Sequence, residues 1–233
     1  MFNLSSALVS RIADRHGVVT TDELIADGIG LSTIRRAVSA RVLVRIHNGV
    51  YRFAISAESF EARCVAASLA DPGAFVTGVS AARLLKFRSV YHSDVPVVVV
   101  AHDRNPFARG VTVRRCGDVL PSDFSTRHDG VRLATPERAW FDCARDLNDE
   151  KFEAMTEWVI DNHCPVETLW RMGSRLARSG RSGSALVSRV MSTRADWQRP
   201  ADSGLELRVL HALESEEIGP LVRQHPIRLP NGI

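Results

Sequence analysis

With 233 residues, 45% of them hydrophobic and 24% charged, the chain has the composition of an ordinary globular protein of two or three small domains, not of a disordered or membrane-spanning one. A formal net charge of +3 is too small to mark a nucleic-acid binder by itself, so the position of the charge carries the argument. Lysine occurs only at Lys86 and Lys151, so nearly all the positive charge is arginine; this reads mainly as a GC-rich coding habit, and each arginine weighs less for it.

Leu4 to His16 reads as a first helix, with Leu4, Leu8, Ile12 and Ala13 on one face and Arg11, Asp14 and Arg15 on the other. Thr20 or Thr21 caps a second helix. Glu23 follows Thr20 at capping-box spacing, Leu24 and Ile25 supply an apolar face, and Gly28 and Gly30 let the chain turn. Ser32 is the expected N-cap of a third helix, in which Ile34, Val38 and Val42 recur every four residues and face inward. Thr33, Arg35, Arg36 and Ser39 then point outward. Residues 43–46 and 50–53 are short strands joined at His47-Asn48-Gly49, and Asn-Gly is the strongest short hairpin signal. Helices, tight turn and hairpin in this order make a winged helix-turn-helix, a DNA-reading module.

From Leu31 to Ala54 the charged residues are Arg35, Arg36, Arg41, Arg45 and Arg52, with no Asp or Glu. Such a surface suits phosphates and guanine edges. The alternative is a protein-docking winged helix whose arginines are ordinary solvated surface.

Residues 54–59 read as a linker. Helices follow at 58–69 and 79–87, a buried β-branched strand at 95–101, and further strands at 111–116 and 131–134. Thr135 caps a helix with Pro136 in its first turn, running from Arg138 to Leu147 and burying Ala139, Trp140, Cys143 and Ala144. A helix from Lys151 to Asn162 has Phe152, Met155, Trp158 and Val159 inside, Glu153 and Glu157 outside. Another runs from Val166 to Ala177, capped near Pro165. The run from Arg171 to Arg194 is rich in Arg, Ser and Gly; it reads as a solvated loop before a helix at 184–191, with a phosphate-contacting loop as the alternative. A last helix spans 205–214, a strand 221–227, and Asn231-Gly232 signals a hairpin whose second strand lies beyond Ile233.

The pattern GVVTTDELIADGIGLSTIRRAVSARVLVRIHNGVYRFA resembles the winged-helix domain of AbiEi-type antitoxins of type IV toxin–antitoxin systems. The middle, with FVTGVSAARLL, VPVVVV and LATPERAWFDCAR, resembles the antitoxin-like domain that follows it in many actinobacterial proteins. The end, SGLELRVLHALESEEIGPLVRQHPIRLPNGI, resembles the opening of an endonuclease-like domain related to very-short-patch repair nucleases of the PD-(D/E)XK class. The resemblance implies an α+β chain: a winged helix-turn-helix DNA-binding domain over residues 1–54, a mixed α/β antitoxin-like domain over 55–195, and the truncated start of an endonuclease-like domain over 201–233.

In that nuclease class a helix glutamate precedes a hairpin carrying an aspartate and an acid–lysine pair that hold Mg²⁺. Glu206 matches the helix glutamate, and the other metal ligands are expected past Ile233, so the chain as given is expected to be inactive as a nuclease. No G-x-S-x-G or P-loop occurs around Ser80 or Cys143. The eight histidines form no H-x-x-x-H or H-E-x-x-H pair, and His102 with Asp103 is the best polar pair at a strand end. The four cysteines, Cys64, Cys116, Cys143 and Cys164, form no C-x-x-C pair and are expected as reduced thiols in a cytoplasmic protein without cofactor or metal. No signal peptide is recognisable and no apolar run reaches membrane-spanning length.

The expected function is a DNA-binding transcriptional regulator that represses its own operon and opposes a cognate toxin, nucleotidyltransferase-like by the resemblance. Its partner would be double-stranded operator DNA, bound as a homodimer or by two molecules on one repeat. The helix from Ser32 to Arg41 would enter the major groove through Thr33, Arg35, Arg36 and Ser39. The hairpin would touch backbone or minor groove through Arg45, His47, Asn48 and Arg52. The alternative is the targeting portion of a PD-(D/E)XK-type DNA endonuclease.

Overall fold

Capping chemistry sets the first elements of the computed structural model, which describes residues 4–91, 93–100, 109–193, 209, 212 and 213. Helix α1 (Ser6–Asp14) starts where the Ser5 hydroxyl accepts from the Leu8 N–H. After strand β1 (Val18–Thr20), Thr20 caps α2 (Thr21–Ala26) in a complete capping box. The Glu23 N–H donates to Thr20 Oγ1 at 3.2 Å, and the Thr20 N–H donates back to the Glu23 carboxylate at 3.0 Å. Helix α3 (Leu31–Ser39) and the hairpin β2 (Leu43–His47) and β3 (Val50–Phe53) complete the winged helix.

All three helices end in Schellman motifs, with His16, Gly28 and Arg41 in the left-handed region at φ 55°, 87° and 57°. α2 ends at the expected turn, with Asp27 as C-cap before Gly28, whereas α1 and α3 stop sooner than a periodicity argument suggests. α1 covers 6–14, not 4–16, and Ala13 is exposed. Leu24 fills the core while Ile25, one step further round a helix of six residues, is 47% exposed. Val42 follows the left-handed Arg41, leaves the helical register and is 44% exposed. Ala37 takes the inward place beside Ile34.

β1 was not expected. It pairs with β3 in an antiparallel sheet of order β1-β3-β2, Val18 opposite Arg52 and Val19 opposite Tyr51. The side-chain alternation of a strand sends neighbours to opposite faces. Val19, Leu43, Tyr51 and Phe53 pack on α1, α2 and α3, together with Leu8, Leu24 and Ile34. Val18 and Val50 turn the other way and join the larger core that follows. The central strand β3 is thus covered on both faces, while Val44 and Arg45 on β2 stay exposed.

That larger core belongs to α4 (Phe60–Leu69), β4 (Phe75–Val76), α5 (Gly78–Leu84), β5 (Val97–Val100), β6 (Thr112–Arg115), a 3-10 turn (Pro121–Asp123), β7 (Phe124–Thr126), β8 (Arg132–Ala134), α6 (Pro136–Cys143), α7 (Asp149–Asn162), α8 (Val166–Leu176) and α9 (Ser184–Thr193). The sheet order is β6-β5-β4-β8-β7. β5 runs parallel to β6 and β4 to β8, while β4 and β5, and β7 and β8, are antiparallel. Thr135 and Pro136 open α6 as expected, but the helix stops at Cys143, whose carbonyl accepts from both the Asp146 and Leu147 N–H groups. Glu157, expected outside, is buried, because the covered arc of α7 is wider than a single stripe. Arg138 lies wholly buried in α6, its guanidinium held by Asp123 at 2.8 Å and Asp142 at 2.9 Å.

The chain is therefore α+β, a winged helix followed by a mixed α/β region. No helix among the described residues is long and apolar enough to cross a membrane. Of the expected helix at 205–214 only Val209, Ala212 and Leu213 are described, each helical; Glu206, the pair His102–Asp103 and the rest of the endonuclease-like reading of 201–233 lie outside the described residues.

Candidate nucleic-acid interface

The stripe opposite the buried Ile34 and Ala37 on α3 consists of Ser32, Arg35, Arg36 and Ser39, at spacings of three and four, and all four are exposed. At 1.5 Å per residue the nine-residue helix is about 13 Å long, a length that fits within a stretch of major groove. Thr33 is half-buried at the edge of the stripe, and its hydroxyl accepts from Arg36 at 3.3 Å.

The start of α3 departs from expectation. Ser32 sits inside the helix, and the N-cap is Gly30, which has no side chain to accept a hydrogen bond. A Cβ at Gly30 would meet nothing within 4 Å, so this end opens to solvent. The first-turn N–H groups thus lack a side-chain acceptor, and a helix N-terminus of this kind attracts phosphate.

Arg41 at the end of α3 and Arg45 on β2 are exposed. Arg45 donates to Asn48 Oδ1 at 2.7 Å, which braces the hairpin tip. Gly49 carries the positive φ of the turn, and the register slips between Arg45 and His47. Arg35, Arg36, Arg41 and Arg45 form no ion pair with a carboxylate among the described residues. Arg11, Arg15, Arg63, Arg83, Arg114, Arg127, Arg138, Arg175 and Arg189 each do. In a chain that uses arginine everywhere, this sets the four apart from the arginines tied into ion pairs.

His47 and Arg52 correct the sequence reading. They are 2% and 8% exposed, too deep to meet a phosphate. Arg52 faces the same side of the sheet as Val18 and Val50, where it donates to the Ser56 carbonyl and lies 3.9 Å from Glu58. His47 lines a cavity of about 220 Å³ with Arg52, Glu58, Arg63 and Val95, at the joint between wing and α/β region. Burial pushes the His47 imidazole below the ordinary histidine value. Composition made all five arginines of the segment look alike; the covered second face of β3 divides them.

The other sequence candidates sit in the core. Ser80 is buried, its Oγ accepting from the Val97 N–H at 2.9 Å. Burial pushes the Cys143 thiol well up, away from the thiolate a nucleophile needs. Among the described residues no group of three or more His, Cys, Asp or Glu is placed to hold a metal ion.

Residues 6–54 match a family model described as "Transcriptional regulator, AbiEi antitoxin". The match runs from the first residue of α1 to the residue after β3, so it spans the winged helix. No curated protein matches the chain. The crystal structure of the RV2827C protein from Mycobacterium tuberculosis is similar at 21% identity and a TM-score of 0.38, covering 82% of this chain and 81% of that one; at that score the likeness carries no argument.

Proposed function

We propose that the chain is a DNA-binding transcriptional regulator of the AbiEi antitoxin kind, with α3 as its reading helix. One observation carries this: the outer surface of α3 and the hairpin presents Arg35, Arg36, Arg41 and Arg45 without a carboxylate partner among the described residues, on the segment that the regulator family model matches. Arg35 and Arg36, with Ser32, Thr33 and Ser39, meet base edges and phosphates in the major groove. The open N-terminus of α3 takes a backbone phosphate, and Arg45 with Asn48 at the hairpin tip contacts the flanking backbone. One such module makes few contacts, so two copies on an inverted repeat upstream of the chain's own gene give the affinity that repression needs. The α/β region is the part that would oppose a nucleotidyltransferase-like toxin.

Fluorescence anisotropy with a duplex of the upstream region and a scrambled duplex, across a salt series, tests the proposal. Tighter binding to the upstream duplex, lost in Arg35→Ala/Arg36→Ala, is the expected result. Equal and steeply salt-dependent binding to both duplexes would leave only a nonspecific electrostatic grip. No binding at low salt would remove DNA from the account.

A further inference from the structure

A second group of arginines without carboxylate partners lies at the far side of the α/β region. β5 and β6 run parallel, Val100 opposite Arg115. Their N-terminal approaches, at Val95 and Gly110, line the cavity beside His47 at the joint with the wing. Their C-terminal ends, at Val99 and Arg115, line a different recess of about 380 Å³. Outside the carboxyl ends of parallel strands is where open α/β sheets hold their ligands. The remaining wall comes from Arg145, just past α6, and from residues 178–182 between α8 and α9.

The lining is cationic beyond what its carboxylates neutralise. Arg114 is held by Asp146, and Arg138 by Asp123 and Asp142. Arg178 and Arg181 share the single carboxylate of Asp118. Arg115 and Arg145 pair with no carboxylate among the described residues, and both are exposed. Ser179 and Ser182 bring hydroxyl donors to the same wall.

The wall is built rather than loose. A Cβ on Gly183 would stand 2.9 Å from the Ala144 carbonyl carbon and from the Arg145 nitrogen, so only glycine lets the segment lie flat on the end of α6. The Arg178 N–H donates to Ser184 Oγ at 3.1 Å and closes the loop on itself. The Arg181 guanidinium stacks 4.9 Å over the Phe141 ring.

We propose that this recess binds the phosphate of a small phosphate monoester of about nucleotide size. Guanidinium groups and serine hydroxyls are the donors that a phosphate dianion takes. The volume falls in the range of small-molecule sites and leaves room for an organic body beyond the phosphate. The recess lies at the opposite end of β5 and β6 from the wing joint, so it is separate from the proposed DNA surface.

The test uses the full chain with two exposed side chains removed together, Arg115→Ala/Arg145→Ala, and the unchanged melting temperature of the ligand-free variant as the folding control. Inorganic phosphate and adenosine 5′-monophosphate are titrated by calorimetry in low-salt buffer, with adenosine as the uncharged comparison. Binding of both phosphates but not adenosine, weakened about tenfold or more in the double variant, is expected. No phosphate binding at millimolar concentration, or equal binding by wild type and variant, overturns the proposal. If the variant instead loses affinity for the upstream duplex while wild type binds neither phosphate, the recess extends the DNA surface and the small-molecule reading fails. Because the α3 arginines are intact in this variant, failure here is distinct from failure of the regulator proposal.

Discussion

The Val42 N–H donates to the Ala37 carbonyl at 2.9 Å, and closing that bond holds the chain between them in a Schellman turn with Arg41 at φ 57°. Glycine is the usual residue at this place, because a side chain in the left-handed region costs about 1 kcal/mol. Arg41→Gly is therefore expected to raise stability by about 0.5–1 kcal/mol while lowering affinity for the upstream duplex. Chemical denaturation and anisotropy on the same preparation check both signs. A variant that binds DNA as tightly as wild type removes Arg41 from the interface.

Arg138 is expected to be the costliest single charge to remove. It is wholly buried and bridges Asp123 and Asp142, while Asp123 also takes Arg175 and Asp142 also accepts from the Thr77 hydroxyl at 2.6 Å. Arg138→Met leaves two buried carboxylates short of a partner and is expected to destabilise the fold by about 3–5 kcal/mol. The denaturant midpoint measures it, and a loss under 1 kcal/mol would show the two carboxylates finding other donors.

His47 ties stability to pH at the joint. Its imidazole is held below the ordinary 6.5 by burial, so the unfolded chain takes up a proton before the folded one does. Stability is thus full above pH 6.5 and falls as pH drops from there through the depressed folded value. His163, also lowered by burial, acts in the same direction. Denaturation midpoints at pH 7.5 and 5.5 should differ less in His47→Gln than in wild type, and an unchanged difference would assign the pH dependence elsewhere.

Glu23 governs a lower pH window. Burial alone would raise its carboxyl, but the Thr20 N–H and Arg15 outweigh burial and hold it below the ordinary 4.5. Its contribution is present above 4.5 and is lost as pH falls through the depressed value. Thr20→Ala removes the hydroxyl that accepts from the Glu23 N–H at 3.2 Å and donates to the Glu23 carboxylate at 3.1 Å, and is expected to cost about 1 kcal/mol at neutral pH. It should also shrink the acid-side loss of stability, measured as the denaturation midpoint at pH 3.5 against pH 7.

Much of the winged helix was legible because its signals are local. Thr20 and Glu23 are three residues apart, and the Asn48-Gly49 turn needs only its own backbone. The stripe Ser32, Arg35, Arg36 and Ser39 follows from helical spacing, whatever the helix packs on. β1 was not legible: its three residues run straight into the capping box, and pairing with β3 requires a partner about thirty residues away. The recess was half legible. The Ser-Gly-Arg run at 179–183 stood out as composition, but nothing near Arg115 or Arg145 announced that they would meet it.

By itself, then, the sequence determined which short segments become helices and turns and which helix face is polar, since these depend on contacts three to five residues apart. The tertiary structure decided what each surface is for. A strand places alternate side chains on opposite faces whatever lies beyond them, so the sequence could not say that the Val50–Arg52 face of β3 is covered as well. Only the packing of α4 under the wing turned Arg52 and His47 into buried joint residues, while Arg35, Arg36, Arg41 and Arg45 stayed facing solvent.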